Sequence, residues 1–305
     1  MVSSVDAGAY EFNPKDYVHR GINTRFFMAI IGVLPAFLTL GYFAFYVPQA
    51  FVILVLYIFF VVAVVWFLLE LMRAVLIGNS VRVGAGNFPE INNILEEIKR
   101  KIRYSKDIEI YIVENGSVNM FLCRFFRTKF IVINSAFVES CETSKNYKDI
   151  EWSIARFVGY MKVKRDHYFP IIDELMGAIK KVPLFNLFIL PYERCIVYSG
   201  DQIGLAVCGS LEGSIVGLGK LLIGKTLYTK VTNDTFINQA NRLNGSVFAK
   251  IARFFSEFPF LTDRYLNLVA FSREIYRDQY QSYIKSHDIN SDFLLYALEN
   301  RHCSW

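Results

Sequence analysis

The chain has 305 residues, of which 53% are hydrophobic, and its 33 Lys and Arg against 28 Asp and Glu give a net charge of +5. Five Cys and four His are too few for a disulfide-stapled or multi-metal protein, and the mild, mixed charge excludes the basic excess of a dedicated nucleic-acid binder. The hydrophobicity is concentrated in one place. From Phe26 to Leu69, 44 consecutive residues carry no Asp, Glu, Lys or Arg.

A bilayer core needs about 20 apolar helical residues per crossing. The charge-free block predicts two, Phe26 to Tyr46 and Ala50 to Leu69, broken at Val47-Pro48-Gln49 because Pro48 lacks a backbone donor and restricts Val47. Lys15, Arg20 and Arg25 precede the pair, Arg73 and Arg82 follow it, and the turn is uncharged. The positive-inside bias then places both ends in the cytoplasm, a reducing compartment that suits five Cys with no C-x-x-C pair.

Beyond the hairpin, Ser80 to Asn87 reads as a polar linker. Phe88-Pro89-Glu90 opens a helix over Ile91 to Ile102, whose apolar face is Ile91, Ile94, Leu95 and Ile98 and whose last turn is basic. Strands are expected at Ile108 to Val113, Met120 to Phe126 and Lys129 to Asn134, joined as hairpins into a small sheet. Helical spacing returns over Ile150 to Val163. Tyr168 to Leu190 is apolar but carries Asp173, Glu174, Lys180 and Lys181, so it reads as a helix against the membrane or core. Glu193 to Ile223 is mostly helical, and Tyr276 to Trp305 is an amphipathic tail.

In this order the pieces resemble the HtpX-like membrane metallopeptidases, gluzincins related to the CAAX prenyl proteases, over roughly residues 26 to 274. Two hydrophobic helices precede Arg82-Val83 and Phe88-Pro89-Glu90, which match the family's "RV…FPEL". Val118-Asn119-Met120-Phe121 is similar to its "NAF" edge strand. Tyr192-Glu193-Arg194-Cys195, Tyr198-Ser199-Gly200-Asp201 and Ile203-Gly204 are similar to its "SRACEYxADRIG" helix, and Phe258-Pro259 with Arg264 to "HPxxxxR". The resemblance implies a mostly helical α+β, zincin-like domain with a small antiparallel or mixed sheet, behind a transmembrane hairpin. The implied divisions are a cytoplasmic segment (1–25), the hairpin with its exit helix (26–78), the metallopeptidase-like domain (79–275) and a helical tail (276–305).

The family's centre is an HExxH helix, in which two His four residues apart grip zinc and the Glu serves as base on bound water, with a Glu on a later helix as third ligand. Aligned at Gly159, the three positions hold Arg156, Phe157 and Tyr160, and Val197 stands for the later Glu. Arg offers no lone pair, and Phe and Val neither ligate nor accept a proton. The resemblance therefore implies a degenerate member: no catalytic residue, no metal ligand and no zinc. Asp201 corresponds to a carboxylate that orients a ligating His; with no His there, a bond to Tyr160 or Arg156 is expected. Arg264 corresponds to a groove cation, with a surface ion pair as the plainer expectation. Asn119, Phe121 and Arg264 are the candidate peptide-groove residues.

The expected function is binding of a protein or peptide by a two-pass membrane pseudoprotease, with an active paralogue or a membrane complex as partner and no nucleic acid. The alternative is an active metalloendopeptidase whose zinc site is rebuilt, for example around Asp166, His167 and Asp173. A third class rests on Gly219 to Thr226, which satisfies G-x-x-x-x-G-K-[ST]; it needs a strand before it, whereas Ile215 to Ile223 has helical spacing. Aromatic residues such as Phe185, Phe188 and Tyr192 are expected to pack near the membrane.

Overall fold

In the computed structural model, the structure describes residues 12–114, 120–125, 128–167, 183–228, 230–287, 289 and 294. After a 3-10 turn at Pro14–Tyr17, α1 (Ile22–Tyr46) and α2 (Pro48–Gly78) form the N-terminal pair. Pro48 opens α2 at its first position, where its missing donor and fixed φ cost nothing. Both helices are long and apolar enough to cross a membrane. A sixth of the apolar window of α1 is buried, and none of that of α2.

The helices run longer than the charge-free block. α1 begins at Ile22, so Arg25 lies in its first turns, and α2 continues through Glu70 and Arg73 to Gly78. That extension has a use. Leu69 and Leu76 pack on Tyr111, Phe130 and Val132, on one face of the sheet.

The sheet has four strands in the order β1-β2-β4-β3, with β1 at Val81–Arg82, β2 at Glu109–Val113, β3 at Met120–Phe125 and β4 at Thr128–Asn134. It is mixed rather than a run of hairpins. β3 and β4 pair antiparallel, Met120 opposite Ile133, but β4 then inserts beside β2 in parallel, Glu109 opposite Phe130. Two of the residues read as linker, Val81 and Arg82, form β1, and Arg82 meets Glu109 at 2.9 Å. The period-two alternation explains the order. Ile110, Ile112, Met120, Ile131 and Ile133 face the main core, while Tyr111, Phe121, Phe130 and Val132 face α2. The central strand β4 is apolar on both faces, which suits an interior strand and disqualifies it as an edge.

α3 (Pro89–Ile102) buries Ile91, Leu95, Ile98 and Ile102 at four- and three-residue spacing, as its pattern predicts. α4 (Ser135–Ser144) is capped by Asn134, whose Oδ1 accepts from Ala136 N at 2.8 Å. α5 (Lys148–His167) and α6 (Pro183–Cys208) then form the most extensive helix pair of the fold. α7 (Leu211–Ile223), the single turn α8 (Lys225–Tyr228), α9 (Asn233–Asn244), α10 (Val247–Phe255), α11 (Leu261–Ile275) and α12 (Arg277–Ser286) follow. Trp152, Leu205, Ile215, Phe236, Tyr265 and Leu266 make a second core between α5, α6, α7, α9 and α11. The protein is thus a mostly helical α+β chain with a small mixed sheet and two long apolar N-terminal helices.

Candidate functional site

The α5–α6 crossing is close because glycines line it. A Cβ on Gly200 would come within 2.8 Å of the Arg156 backbone oxygen, one on Gly159 within 2.8 Å of Ile203, and one on Gly204 within 3.0 Å of Trp152. Such contacts are tighter than packed side chains accept, so these positions exclude even Ala without movement. Arg156 and Tyr160 follow one another on α5 at i, i+4, and Val197 and Asp201 do so on α6.

Asp201 is the centre of the arrangement. Fully buried, it lies 2.9 Å from Arg156 Nε through Oδ1. Arg264 of α11 grips the same carboxylate with both arms of its fork, Nε to Oδ2 at 2.8 Å and Nη2 to Oδ1 at 2.9 Å. The ion pair expected for Arg264 at the surface is in the core, where this side chain is only 5% exposed. Asp201 accordingly meets one of its two expected partners, Arg156. Tyr160 turns instead to Glu193, its hydroxyl 3.3 Å from Oε2, and Lys164 takes Oε1 of the same carboxylate at 3.0 Å.

Two guanidiniums on one carboxylate leave a net positive charge inside the protein. Arg156 spreads part of that charge over neighbouring rings, 4.7 Å from the Phe157 centroid and 5.7 Å from that of Trp152. Burial, and then the adjacent Arg264, push Arg156 down to about 10 against the pull of Asp201. It stays charged at neutral pH. Trp152 donates its indole N–H to the Asp201 carbonyl at 3.3 Å, and Gln202 donates to Asn267 at 3.1 Å, tying α5, α6 and α11 into one unit.

These residues do not fit zinc. A guanidinium already committed to a carboxylate, a Phe and a buried Val supply no lone pair, and Tyr160, bonded to Glu193, could ligate only as phenolate, which alone makes no zinc site. Asp201, the remaining carboxylate, is engaged on both oxygens by arginine. Among the described residues no group of three or more His, Cys, Asp or Glu is placed to hold a metal ion. Of the alternative set, Asp173 lies outside the described residues, and Asp166 and His167 are described only as the last turn of α5. His19 is held elsewhere: its backbone N–H donates to Ser199 Oγ at 3.0 Å and its ring stacks on Tyr198.

The groove residues do not form one cluster. Phe121 is half-buried on the α2 face of the sheet with Tyr111, Phe130 and Val132, Arg264 belongs to the Asp201 cluster, and Asn119 lies outside the described residues. β3, which carries Phe121, is the terminal strand of the sheet among the described residues. The phosphate-loop pattern is not on a strand–loop–helix. Gly219 to Ile223 complete α7, and Gly219 has no room for a Cβ beside the Tyr228 ring, so its glycine serves packing.

Lys164 was not singled out by sequence, and Glu193 only as part of the helix motif at Tyr192 to Cys195, because residues 29 apart in the chain give no local signal of pairing. The same holds for Asp149, buried and bonded to Lys220, Cys141 Sγ and its neighbour's backbone at Ile150. Compared with protein-family models, with curated proteins and with solved structures, the chain gives no match. The likeness to membrane metallopeptidases therefore rests on the motifs and positions named above.

Proposed function

We propose that this chain is a catalytically silent relative of the membrane zinc metallopeptidases, which binds a protein partner rather than cleaving it. The observation that carries the reading is Arg156 bound to Asp201 and Arg264. The cluster puts a fixed cation where a metal-ligating imidazole would be required, and holds both oxygens of Asp201 in ion pairs. In this reading α1 and α2 anchor the protein in a bilayer. The N-terminal segment and the helical domain share the cytoplasmic side. Two observations support that arrangement. A surface as apolar as that of α2, with none of its window buried, is too large for water. The segment before α1 also docks on the domain, His19 donating its backbone N–H to Ser199 and stacking on Tyr198, which supports placing the two on one side of the membrane.

The binding element in this reading is β3. An extended segment of the partner, from an active paralogue or another subunit of a membrane complex, adds beside Met120–Phe125 through backbone hydrogen bonds, which require neither metal nor base. The test joins metal analysis to hydrogen exchange on the purified full chain. The expected result is no stoichiometric zinc, no chelator-sensitive cleavage of peptides, and slowed exchange of alternate β3 amides when a binding peptide is present. Tightly bound zinc with chelator-sensitive cleavage overturns the reading in favour of an active metalloendopeptidase.

A further inference from the structure

α10 wears its apolar stripe outward. Val247, Phe248, Ile251, Phe254 and Phe255 recur at i, i+1, i+4, i+7 and i+8, the spacing of a core-facing stripe, yet every one is exposed, Phe248 at 84%. Ala249 alone in the helix is buried. Phe258, just beyond the helix, extends the patch at 62% exposure.

The helix is held firmly in this orientation. Ser246 caps its start, accepting from Ala249 N at 3.2 Å. Arg194 of α6 caps its end, one Nη1 reaching the carbonyls of Arg253, Phe254 and Ser256 at 2.8, 3.2 and 2.9 Å. Arg253 is locked separately on Asp263, Nε to Oδ2 at 2.9 Å and Nη2 to Oδ1 at 3.0 Å.

Its location decides what covers it. A cavity of about 370 Å³ lies between α10 and α1, with Arg25, Arg194, Lys250, Phe254 and Phe258 among its lining residues. Arg25 is the last charge before the charge-free block that begins at Phe26. α10 therefore sits level with the point where α1 leaves water. Arg25, Arg194, Lys250 and Arg253 stand there against Asp263 and Glu257, an excess of positive charge beside an apolar stripe. That combination is the signature of a helix lying in the plane of an anionic interface.

We infer that α10 is a third membrane contact: it lies in the headgroup region of the leaflet that α1 enters, Phe248, Ile251 and Phe255 among the acyl chains and Arg25 and Lys250 against anionic phospholipid phosphates. The inference rests on the proposal that α1 and α2 span a bilayer. It gives the domain a fixed orientation. The three contacts α1, α2 and α10 stop it from swinging on its anchor, so that β3 meets partners from a set direction.

Trp fluorescence tests both layers separately, because the native Trp are residues 66, 152 and 305. Trp66 lies in α2 and Trp152 is fully buried. The full chain is reconstituted in vesicles of phosphatidylcholine and phosphatidylserine with brominated acyl chains as quencher. The forms compared are the native chain, Trp66→Phe, and Trp66→Phe with Phe248→Trp. Quenching is expected in the native chain, lost in Trp66→Phe, and regained with Phe248→Trp. Adding Lys250→Gln to the last form should shift the embedded-to-free ratio about fivefold toward free, the worth of one basic contact at an anionic surface. If quenching is lost with Trp66→Phe but not regained with Phe248→Trp, α10 faces water or a protein; the inference is overturned and the anchor stands. If Trp66→Phe changes nothing, the anchor itself falls, and the inference with it.

Discussion

Arg156 Nε stands 2.9 Å from Asp201 Oδ1, and in the proposed likeness to membrane metallopeptidases this is the helix position that would carry a zinc ligand. The pair ties α5 to α6 inside the core. Its energetics are set by Arg264, which takes the same carboxylate in a bidentate grip. One buried acid thus compensates two cations.

Removing that acid should be the most damaging single change in the domain. Asp201→Ala leaves two buried guanidiniums without a counter-charge, at a cost of about 3–5 kcal/mol. Arg156→Met keeps the bidentate Arg264–Asp201 pair and should cost clearly less. Denaturation midpoints of the two variants in detergent check the ranking, and equal losses would contradict it.

Zinc binding should be recoverable if the resemblance describes the scaffold. The combined change Arg156→His, Phe157→Glu, Tyr160→His and Val197→Glu rebuilds three ligands and a base on the faces of α5 and α6 that cross. Stoichiometric zinc is expected in the fourfold variant by elemental analysis. A fourfold variant that folds and takes no zinc would count against the gluzincin likeness.

Gly200→Ala sets two effects against one another. In an exposed helix the change gains about 1 kcal/mol from propensity. Here the new Cβ would sit 2.8 Å from the Arg156 carbonyl oxygen, a backbone atom that moves only if α5 shifts. Overpacking of this kind costs about 1–3 kcal/mol, so the net effect should be destabilising. A raised denaturation midpoint would show that the crossing is looser than its glycines imply.

The buried thiols give a pH dependence of known sign. Burial pushes Cys195 up to about 11 and Cys208 up to about 12, the latter with help from Glu151. In the unfolded chain both ionise near the ordinary thiol value, about 8.5. The folded state therefore holds protons that the unfolded state releases. The stability this provides is complete below the unfolded pKa, declines as pH rises above it, and is gone above the folded values. Denaturation midpoints should fall between pH 8 and 11 on this account, and Cys195→Ala with Cys208→Ala should flatten the fall. Both thiols should also resist alkylation at pH 8 until the chain unfolds.

Much of the architecture was legible in the sequence. The break at Pro48, the buried stripe of α3 and the strand over Lys129 to Asn134 follow from local rules, since a missing donor, a 3.6-residue period and β-branched runs act within a few residues. Arg156, Phe157, Tyr160 and Val197 could be picked out by position alone. The sheet order could not. Hairpins are the shortest connections, but β4 is apolar on both faces and must lie inside, so it goes between β2 and β3. Nor could the partners of Arg264 and Tyr160 be read, for a charged or hydroxyl side chain looks the same in sequence whether it meets water or a buried acid.

By itself, then, the sequence determined that two apolar helices precede an α+β domain and that Arg156, Phe157, Tyr160 and Val197 offer neither an imidazole nor a carboxylate. These are matters of composition and of which lone pairs exist. Tertiary structure alone decided what the polar side chains among them meet. Asp201 gathers Arg156 from α5 and Arg264 from α11, and α10 turns its apolar side away from the core. Both depend on helices far apart in the chain coming within a few ångströms, where desolvation makes each charge choose a partner.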